Sequence, residues 1–267
     1  MLTFASLCPH PPLIIPAIGQ NNLLSLTTTI GSLKKLNTKL LELKPDTIIV
    51  ISPHNNQPGP NFVINNAPKY SGSLENFCDL TTKLELTTDT ELIALIQKTL
   101  EQSKEKFNLE VTNEEKIDYG LTIPLYYLIE SLIGAKFIAL HPSADASLSP
   151  HLNFGKLLQK IFKETDKKIA LIASGDLSHK ISNDSPVGVS PRAKEFDHTL
   201  IHLLKHKKIN EITALEEDLS REAEECGLKP ITMLLGMIYR VPYTPRVLSY
   251  EHPFGIGYLT MDMELKK

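Results

Sequence analysis

Four of the nine histidines in this 267-residue chain closely follow short apolar runs. They are His10, His54, His141 and His179, and Asp176 lies three residues before the last of them. Neutral imidazole binds divalent metals, and imidazole also transfers protons near pH 7. If the apolar runs are parallel strands of one sheet, their carboxyl ends lie side by side, where α/β proteins bind their ligands. The pattern therefore predicts a shared site that contains at least two of these histidines.

His10 and His54 are the first two predicted metal ligands, because each lies next to a proline that stiffens its loop. Two histidines with a carboxylate form the facial set of non-haem Fe(II) oxygenases, whereas Zn²⁺ is more often tetrahedral with histidine and cysteine ligands. Glu225, Cys226 and Glu251 are all chemically able to complete the set. The residues alone predict a divalent metal site, for which Fe(II), Zn²⁺ or another divalent metal is possible, and leave the third ligand open.

Among these three candidates, we expect Cys226 to lie closest to the two histidines. It belongs to the triplet Glu225-Cys226-Gly227, which directly precedes a predicted buried helix. Glycine lacks a Cβ and allows another backbone segment to come close. If Glu225 or Glu251 points between the histidines instead, the ligand set with a carboxylate is restored.

His179 and Asp176 form the predicted catalytic pair. A histidine whose pKa is near 7 can take a proton from a substrate and return it, provided that it lies within hydrogen-bonding reach. We therefore expect His179 to face the open side of the metal without binding it, and Asp176 to hold the orientation of the imidazole. The alternative is a loop ion pair with no chemical role.

The elements that position these residues follow from the hydrophobic pattern. Short, continuous apolar runs are typical of strands that are buried on both faces. Such strands are predicted over 4–8, 47–51, 137–140 and 169–173, with two final strands over 246–250 and 257–261.

Apolar residues at three- and four-residue spacing predict helices between the strands. Residues 55–80, which are rich in Asn, Pro, Gly and Ser, predict a loop with a small hairpin or edge strands. The helix over 121–133 is predicted to carry Pro124 in its first turn. Helices are predicted over 23–43, 88–104, 121–133, 152–162, 193–204 and 209–225, and another begins near 231. This alternation predicts a single α/β domain over 1–267, with a central, mostly parallel sheet flanked by helices.

Composition narrows the possible partners and compartments. The formal net charge is −3 and the pI is about 6.3. The chain therefore lacks the basic character of proteins that bind nucleic acid. The three cysteines form no Cys-x-x-Cys pair, as is typical of a reducing cytoplasm. The N-terminus has no signal-peptide pattern, and no apolar run approaches the roughly 20 residues of a spanning helix. We therefore expect a cytoplasmic protein with no nucleic-acid or membrane partner.

Five short motifs along the chain resemble those of the LigB-like family, the class III extradiol ring-cleavage dioxygenases, and their Memo-like relatives. The motifs follow one another in the same order over nearly the whole chain. They are CPHPP at 8–12, SPH at 52–54, SGDLSH at 174–179, ECG at 225–227 and YEHPFG at 250–255.

The resemblance implies a single α/β domain with an iron site made of two histidines and a glutamate. In these dioxygenases a catechol-type substrate binds the ferrous ion through both hydroxyls, O2 binds beside it, and a histidine moves protons during ring opening. His179 would have that role here. We expect Tyr119, His141 and His252 to contact the aromatic substrate, and a homo-oligomer is possible.

This chain departs from the family pattern at two positions. Tyr119 stands where many relatives have the histidine of Asp-His-Gly, so that a phenol replaces an imidazole near the substrate. Cys226 resembles the cysteine of the Memo-like proteins, and a thiolate is a softer ligand than a carboxylate. Two hypotheses follow: an Fe(II)-dependent extradiol dioxygenase-like enzyme acting on a catechol, or a Memo-like metal-binding or ligand-binding regulatory protein with little turnover.

Overall fold

An eight-stranded sheet forms the centre of the computed structural model, which describes residues 1–55, 59–129 and 132–266. The strands, in chain order, are β1 (Leu2–Cys8), β2 (Thr47–Ile51), β3 (Phe62–Asn65), β4 (Lys69–Leu74), β5 (Asp79–Thr87), β6 (Leu109–Thr112), β7 (Lys116–Ile117), β8 (Lys136–His141), β9 (Ile169–Ser174), β10 (Tyr243–Glu251) and β11 (Tyr258–Leu265).

α-Helices lie between several of these strands. The α-helices are α1 (Pro16–Gly19), α2 (Thr27–Leu43), α3 (Thr90–Gln102), α4 (Tyr119–Leu128), α5 (Leu148–Phe162), α6 (Ala193–Lys205), α7 (Ile209–Thr213), α8 (Glu217–Ala223) and α9 (Leu228–Met237). Short 3-10 helices cover Pro12–Ile14, Gln20–Leu26 and Glu75–Phe77. None of the helices in the described ranges is long and apolar enough to span a membrane.

The order of strands in the main sheet is β10-β11-β1-β9-β2-β8-β3-β6. Its four middle strands, β1, β9, β2 and β8, are all parallel to one another. Cys8 pairs with Ser174, while Ile51 pairs with both Ala173 and Leu140. The carboxyl ends of the four strands therefore lie level at one edge. The predicted α/β fold with a central, mostly parallel sheet is confirmed.

Helices cover both faces of this sheet. Along β2, Ile48 and Val50 pack into the core beneath α2 and α4, whereas Ile49 and Ile51 pack into the core beneath α3, α5, α6 and α9. Successive side chains of a strand point to opposite faces, so a strand buried on both sides has a continuous apolar sequence. The middle strands were therefore recognisable from sequence because both of their faces are buried.

A second sheet of three strands, in the order β5-β4-β7, packs beside the first. Residues 55–80 were predicted to form a loop with a small hairpin or edge strands, and they contain β3 and β4, while 56–58 of that stretch lie outside the described residues. Strand β4 alternates exposed or half-buried residues with buried ones, a period-two pattern that covers only six residues. The sequence signal was weak because such short half-buried strands have few apolar positions.

Several predicted helices differ in their bounds from those observed; the helix predicted over 23–43, for example, is α-helical only from Thr27. Helix α4 begins at Tyr119 instead of Leu121, because Asp118 caps it by accepting a hydrogen bond from the Leu121 N–H at 3.2 Å. Pro124 is consequently the sixth residue of the helix and lies beyond its first turn. The predicted helix over 121–133 includes 130–131, which lie outside the described residues. The single helix predicted over 209–225 is divided into α7 and α8.

Candidate metal centre

Three side chains meet at the carboxyl edge of the parallel strands. The Nε2 atoms of His10 and His54 are 3.1 Å apart, and the Sγ of Cys226 lies 3.6 Å from His10 Nε2. One ligand atom from each of the three residues lies within 4.8 Å of the other two. His54 and Cys226 are 44 and 216 positions from His10 in the chain, and the parallel strand order brings them together.

His10 is held rigidly in the loop that follows β1. Its backbone N–H donates to Asp176 Oδ1 at 2.9 Å, and its ring Nδ1 lies 2.8 Å from Ser174 Oγ. The side chain is only 2% exposed. These two contacts fix both the backbone and the ring of His10. Its Nε2 atom consequently faces His54 and Cys226.

His54 is held by Ser52 and by an aromatic neighbour. Its backbone N–H donates to Ser52 Oγ at 3.2 Å, and Ser52 Oγ in turn donates to Asp118 Oδ1 at 2.7 Å. The ring of Tyr119 stacks on the His54 ring with centroids 4.4 Å apart and lies edge-on to His10 at 5.5 Å. Tyr119 therefore forms a wall of the site.

The backbone around Cys226 comes very close to the loop after β9. A Cβ added to Gly175 would lie 2.3 Å from the Cα of Gly227, so a larger residue at 175 would push the two segments apart. The N–H of Gly227 donates to the Asp176 carbonyl at 3.0 Å, and the Asp176 N–H donates to Cys226 Sγ at 3.2 Å. The close approach that was expected at Gly227 is present, and it carries the thiol to the histidines.

The donor set suits a divalent transition metal. Two histidine nitrogens that bind one ion each lie about 2.0 to 2.1 Å from it. With a nitrogen–metal–nitrogen angle of about 90° to 109°, the two nitrogens are roughly 3 Å apart. The observed separation of the two Nε2 atoms is 3.1 Å. Imidazole and thiolate are ligands that Zn²⁺ and iron accept, whereas Mg²⁺ and Ca²⁺ prefer oxygen. The two imidazoles and the thiol therefore fit Zn²⁺ or iron.

The protonation states of the two histidines also suit a metal. Burial, reinforced by the charge of His179, lowers the pKa of His10 to about 3, and burial with neighbouring histidines lowers the pKa of His54 to about 3. Both rings are thus neutral near pH 7, as metal ligands must be. Burial raises the pKa of Cys226 well above its usual range, so the thiol is protonated near pH 7 and a metal must displace that proton when it binds.

Glu225 and Glu251, the other two candidates for the third ligand, are engaged in helix capping. Glu225 accepts hydrogen bonds from Ser220 Oγ at 2.8 Å and from the Leu228 N–H at 2.6 Å, at the start of α9. Glu251 accepts from the Thr29 N–H at 2.9 Å, in the first turn of α2. Carboxylates are stabilising at helix N-termini, where backbone N–H groups lack partners. Neither glutamate belongs to the group of three ligand atoms.

His179 and Asp176 both lie beside this cluster. The Nε2 of His179 is 3.8 Å from Cys226 Sγ, and the His179 residue is half-buried. The Asp176 carboxylate accepts from the His10 backbone and lies 4.0 Å from His10 Nε2, so its hydrogen bond fixes the His10 loop. Burial raises the pKa of Asp176 to about 6, while the charge of His179 acts in the opposite direction.

The loop that carries His179 is supported from α6 by a buried carboxylate. Asp197 Oδ1 accepts from the Ser178 N–H at 2.8 Å, and Oδ2 accepts from the Tyr250 hydroxyl at 2.7 Å. The His179 N–H donates to the Ala223 carbonyl at 2.8 Å. Burial raises the pKa of Asp197 from its usual 3.8 to about 7, despite the two donors.

This raised pKa makes protein stability depend on pH. The folded state holds the Asp197 proton more tightly than the unfolded state, so this stabilisation is complete below about pH 4 and is lost as the pH rises through about 7. Between pH 5 and pH 7, we expect the free energy of unfolding of the wild type to fall by roughly 2 kcal/mol more than that of Asp197→Asn. Urea unfolding at each pH measures this difference.

Asn at position 197 keeps the size of the side chain and mimics the protonated acid. The matched control is Asp184→Asn, which changes an exposed aspartate and should follow the wild-type curve. Parallel curves for the wild type and Asp197→Asn would show that Asp197 does not hold a proton in the folded protein.

The other two residues predicted to contact substrate lie in different surroundings. His141 is buried, and its Nδ1 lies 3.1 Å from the Ser52 carbonyl oxygen. With His54 and Asp118 it lines a cavity of about 20 Å³, which has room for one group the size of water and none for an aromatic ring. His252 is exposed, and its ring lies 5.8 Å from that of Tyr250. Their contact with a substrate stays a prediction.

Sequence reasoning overlooked the residues that support the cluster. Ser52 and Ser174 belong to the quoted motifs but were given no role, although each contacts a histidine of the cluster. Their positions at the carboxyl ends of strands, beside the candidate histidines, were a usable signal. Asp197 had no such signal, because its contact with Ser178 depends on how α6 packs.

Proteins of Clostridium acetobutylicum and Escherichia coli are similar to this chain in sequence. Protein CA_C1420 of Clostridium acetobutylicum is 27% identical over 269 residues, which cover 97% of this chain and 56% of that protein. The 3,4-dihydroxyphenylacetate 2,3-dioxygenase of Escherichia coli is 25% identical over 155 residues, which cover 52% of this chain and 53% of the enzyme. The chain therefore spans about half the length of the curated relatives that it matches.

A crystal structure and a family model cover nearly all of the chain. The uncharacterized protein JW3007 from Escherichia coli K12 has a similar fold, with a TM-score of 0.68 over 98% of this chain and 99% of that one, at 16% identity. The model of the family described as the catalytic LigB subunit of aromatic ring-opening dioxygenase matches residues 4–261. The chain accordingly belongs to the LigB family.

Proposed function

We propose that this chain is a metal-dependent, extradiol dioxygenase-like enzyme that uses O2 to open a catechol-type ring. The observation that carries the proposal is the cluster of His10, His54 and Cys226, with His179 beside it. Membership of the LigB family and the relative named as a dioxygenase support the same reaction class. When bound, Fe(II) would supply coordination sites for the two substrate hydroxyls and for O2.

The chain's own residues would bind, orient and move protons. His179 Nε2 would take a proton from a substrate hydroxyl and return it during ring opening, because this ring is half-buried beside the cluster. Asp176 would hold the His10 loop and place negative charge near His179. The Tyr119 ring, stacked on His54, would limit where the aromatic substrate can lie.

Cys226 favours a second candidate function. A thiolate is softer than the carboxylate of the two-histidine Fe(II) oxygenases and suits zinc and other thiophilic metals. Glu225 and Glu251 both cap helices, so the cluster offers sulfur as its third ligand atom. The alternative is therefore a Memo-like metal-binding or ligand-binding regulatory protein that holds a metal and has little turnover.

Metal analysis followed by an oxygen assay separates the two candidates. The protein is purified without oxygen, its metal content is measured, and the Fe(II)-loaded form is given O2 and a panel of catechols. Oxygen uptake with a yellow ring-opened product supports the enzyme. Stoichiometric metal with no uptake across the panel contradicts it and favours the regulatory protein.

Compartment and assembly belong to the same proposal. The three cysteines are free, which supports a reducing cytoplasm. A homo-oligomer is tested by measuring the molar mass of the purified protein in solution against the 29.8 kDa of the chain.

A further inference from the structure

Helix α4 contains a carbonyl group that its own backbone cannot satisfy in the usual way. In an α-helix the carbonyl of residue i accepts from the N–H of residue i+4. The residue four positions after Gly120 is Pro124, which lies inside the helix and has no N–H. The Gly120 carbonyl therefore lacks its regular helical donor and is available to a side chain.

Ser174 at the end of β9 supplies the missing donor. Its hydroxyl donates to the Gly120 carbonyl oxygen at 2.5 Å, across 54 positions of sequence. A carbonyl can only accept, and a serine hydroxyl has a single hydrogen. That hydrogen is therefore committed to Gly120, and Ser174 Oγ can only accept from any other partner.

The other partner of Ser174 Oγ is Nδ1 of His10, at 2.8 Å. Nδ1 must be the donor in this pair and must therefore carry a hydrogen. In a neutral imidazole only one ring nitrogen is protonated, so Nε2 of His10 has a free lone pair. This is the atom that faces His54 Nε2 at 3.1 Å and Cys226 Sγ at 3.6 Å.

We propose that Pro124 and Ser174 are positioning residues that lock His10 in the Nδ1–H tautomer, with its Nε2 lone pair aimed at the metal. The inference rests on the metal centre proposed above and extends it to a residue in the second turn of α4. Pro124 acts by leaving the Gly120 carbonyl free, Ser174 acts by connecting that carbonyl to the ring, and neither residue belongs to the group of three ligand residues.

Two substitutions break the connection at different points. Ser174→Ala removes the acceptor of the Nδ1 hydrogen, so His10 loses the contact that selects its tautomer. Pro124→Ala introduces a helical N–H that competes for the Gly120 carbonyl and frees the Ser174 hydrogen to be donated to Nδ1. The second change favours the Nε2–H tautomer, in which no lone pair faces the metal.

The test uses metal-free protein with ¹⁵N-labelled histidine, in which His10→Gln identifies the signals of residue 10. We expect NMR to find hydrogen on Nδ1 of His10 in the wild type, and a shift toward Nε2–H in Ser174→Ala and Pro124→Ala. Zn²⁺ affinity, measured by competition with a chelator, should fall by about 10- to 100-fold in both variants, as is typical for contacts behind a metal ligand.

The unfolding midpoint separates this effect from general damage. Pro124→Ala should unfold at the same temperature as the wild type or higher, because its helix regains a hydrogen bond, while its Zn²⁺ affinity falls. Ser249→Ala is the matched control, since it removes a buried strand serine whose hydroxyl has no partner among the described residues, and it should change neither tautomer nor affinity.

The two possible failures are distinguishable. An Nε2–H tautomer of His10 in the wild type overturns the inference, and so does a Pro124→Ala protein that keeps the wild-type tautomer and affinity. A wild-type protein that has the Nδ1–H tautomer but binds no Zn²⁺ or Fe(II) contradicts the proposed metal centre instead.

Discussion

His10→Ala is expected to lower metal affinity by more than about 100-fold, beyond the 10- to 100-fold loss typical when a residue behind a ligand is changed. The substitution removes a buried, neutral nitrogen that lies 3.1 Å from His54 Nε2 and 3.6 Å from Cys226 Sγ. Two ligand atoms would remain, which is fewer than the three protein ligands of open metal sites. Chelator competition with Fe(II) under anaerobic conditions, or with Zn²⁺, measures the loss.

His202→Ala is the matched control for this experiment. His202 is an exposed histidine on α6, so its loss tests whether metal binds adventitiously to surface imidazoles. The thermal unfolding of His10→Ala in the absence of metal checks that the fold is kept. Full occupancy and wild-type affinity in a folded His10→Ala protein would remove His10 from the ligand set.

His179→Gln is expected to keep metal content near that of the wild type while turnover falls by about 10² to 10⁴, the usual contribution of general acid and base catalysis. Gln keeps a polar side chain at this half-buried position but cannot exchange a proton near pH 7. The ring lies 3.8 Å from Cys226 Sγ and is not part of the group of three ligand atoms.

Two results would contradict this role for His179. Loss of metal together with loss of activity would make His179 a ligand, and unchanged turnover would remove it from the mechanism. His202→Gln is the matched control and should retain full turnover. Both variants are assayed with metal-loaded protein, using the catechol that gives the greatest oxygen uptake with the wild type.

The strands that position the site were predictable because they are buried on both faces. The run Thr47–Ile51 is apolar after its first residue and its observed bounds match the prediction, because helices cover both of its faces. Because the carboxyl ends of the parallel strands lie level, His10, His54 and His179 all lie at that edge of the main sheet. The residue types and the order of the motifs were thus enough to predict the fold and the candidate ligands.

The supporting contacts were beyond sequence reasoning because they depend on packing between distant segments. Ser174 reaches the Gly120 carbonyl only because β9 lies beneath the start of α4. The consequences of Pro124 could not be read from its position alone, since they depend on where the helix begins, and Asp118 sets that start two residues earlier than predicted. Asp197 likewise reaches Ser178 through the docking of α6.

The sequence allowed the candidates for the third ligand to be ranked, but it did not decide between them. Glu225 and Cys226 are adjacent, and a change of one residue in the local backbone would exchange the side chain that faces the histidines. The structure directs the glutamate to the first N–H of α9 and leaves the thiol beside His10. The preference for Cys226 thus depends on the capping requirement of a helix and on the close approach of Gly175 and Gly227.

X-ray absorption at the metal edge of the loaded wild-type protein tests the central claim most directly. The account predicts one sulfur at about 2.3 Å and two imidazole nitrogens at about 2.0 to 2.1 Å from the metal, with the sulfur signal lost in Cys226→Asp. A coordination sphere made only of nitrogen and oxygen in the wild type would contradict a metal centre formed by His10, His54 and Cys226.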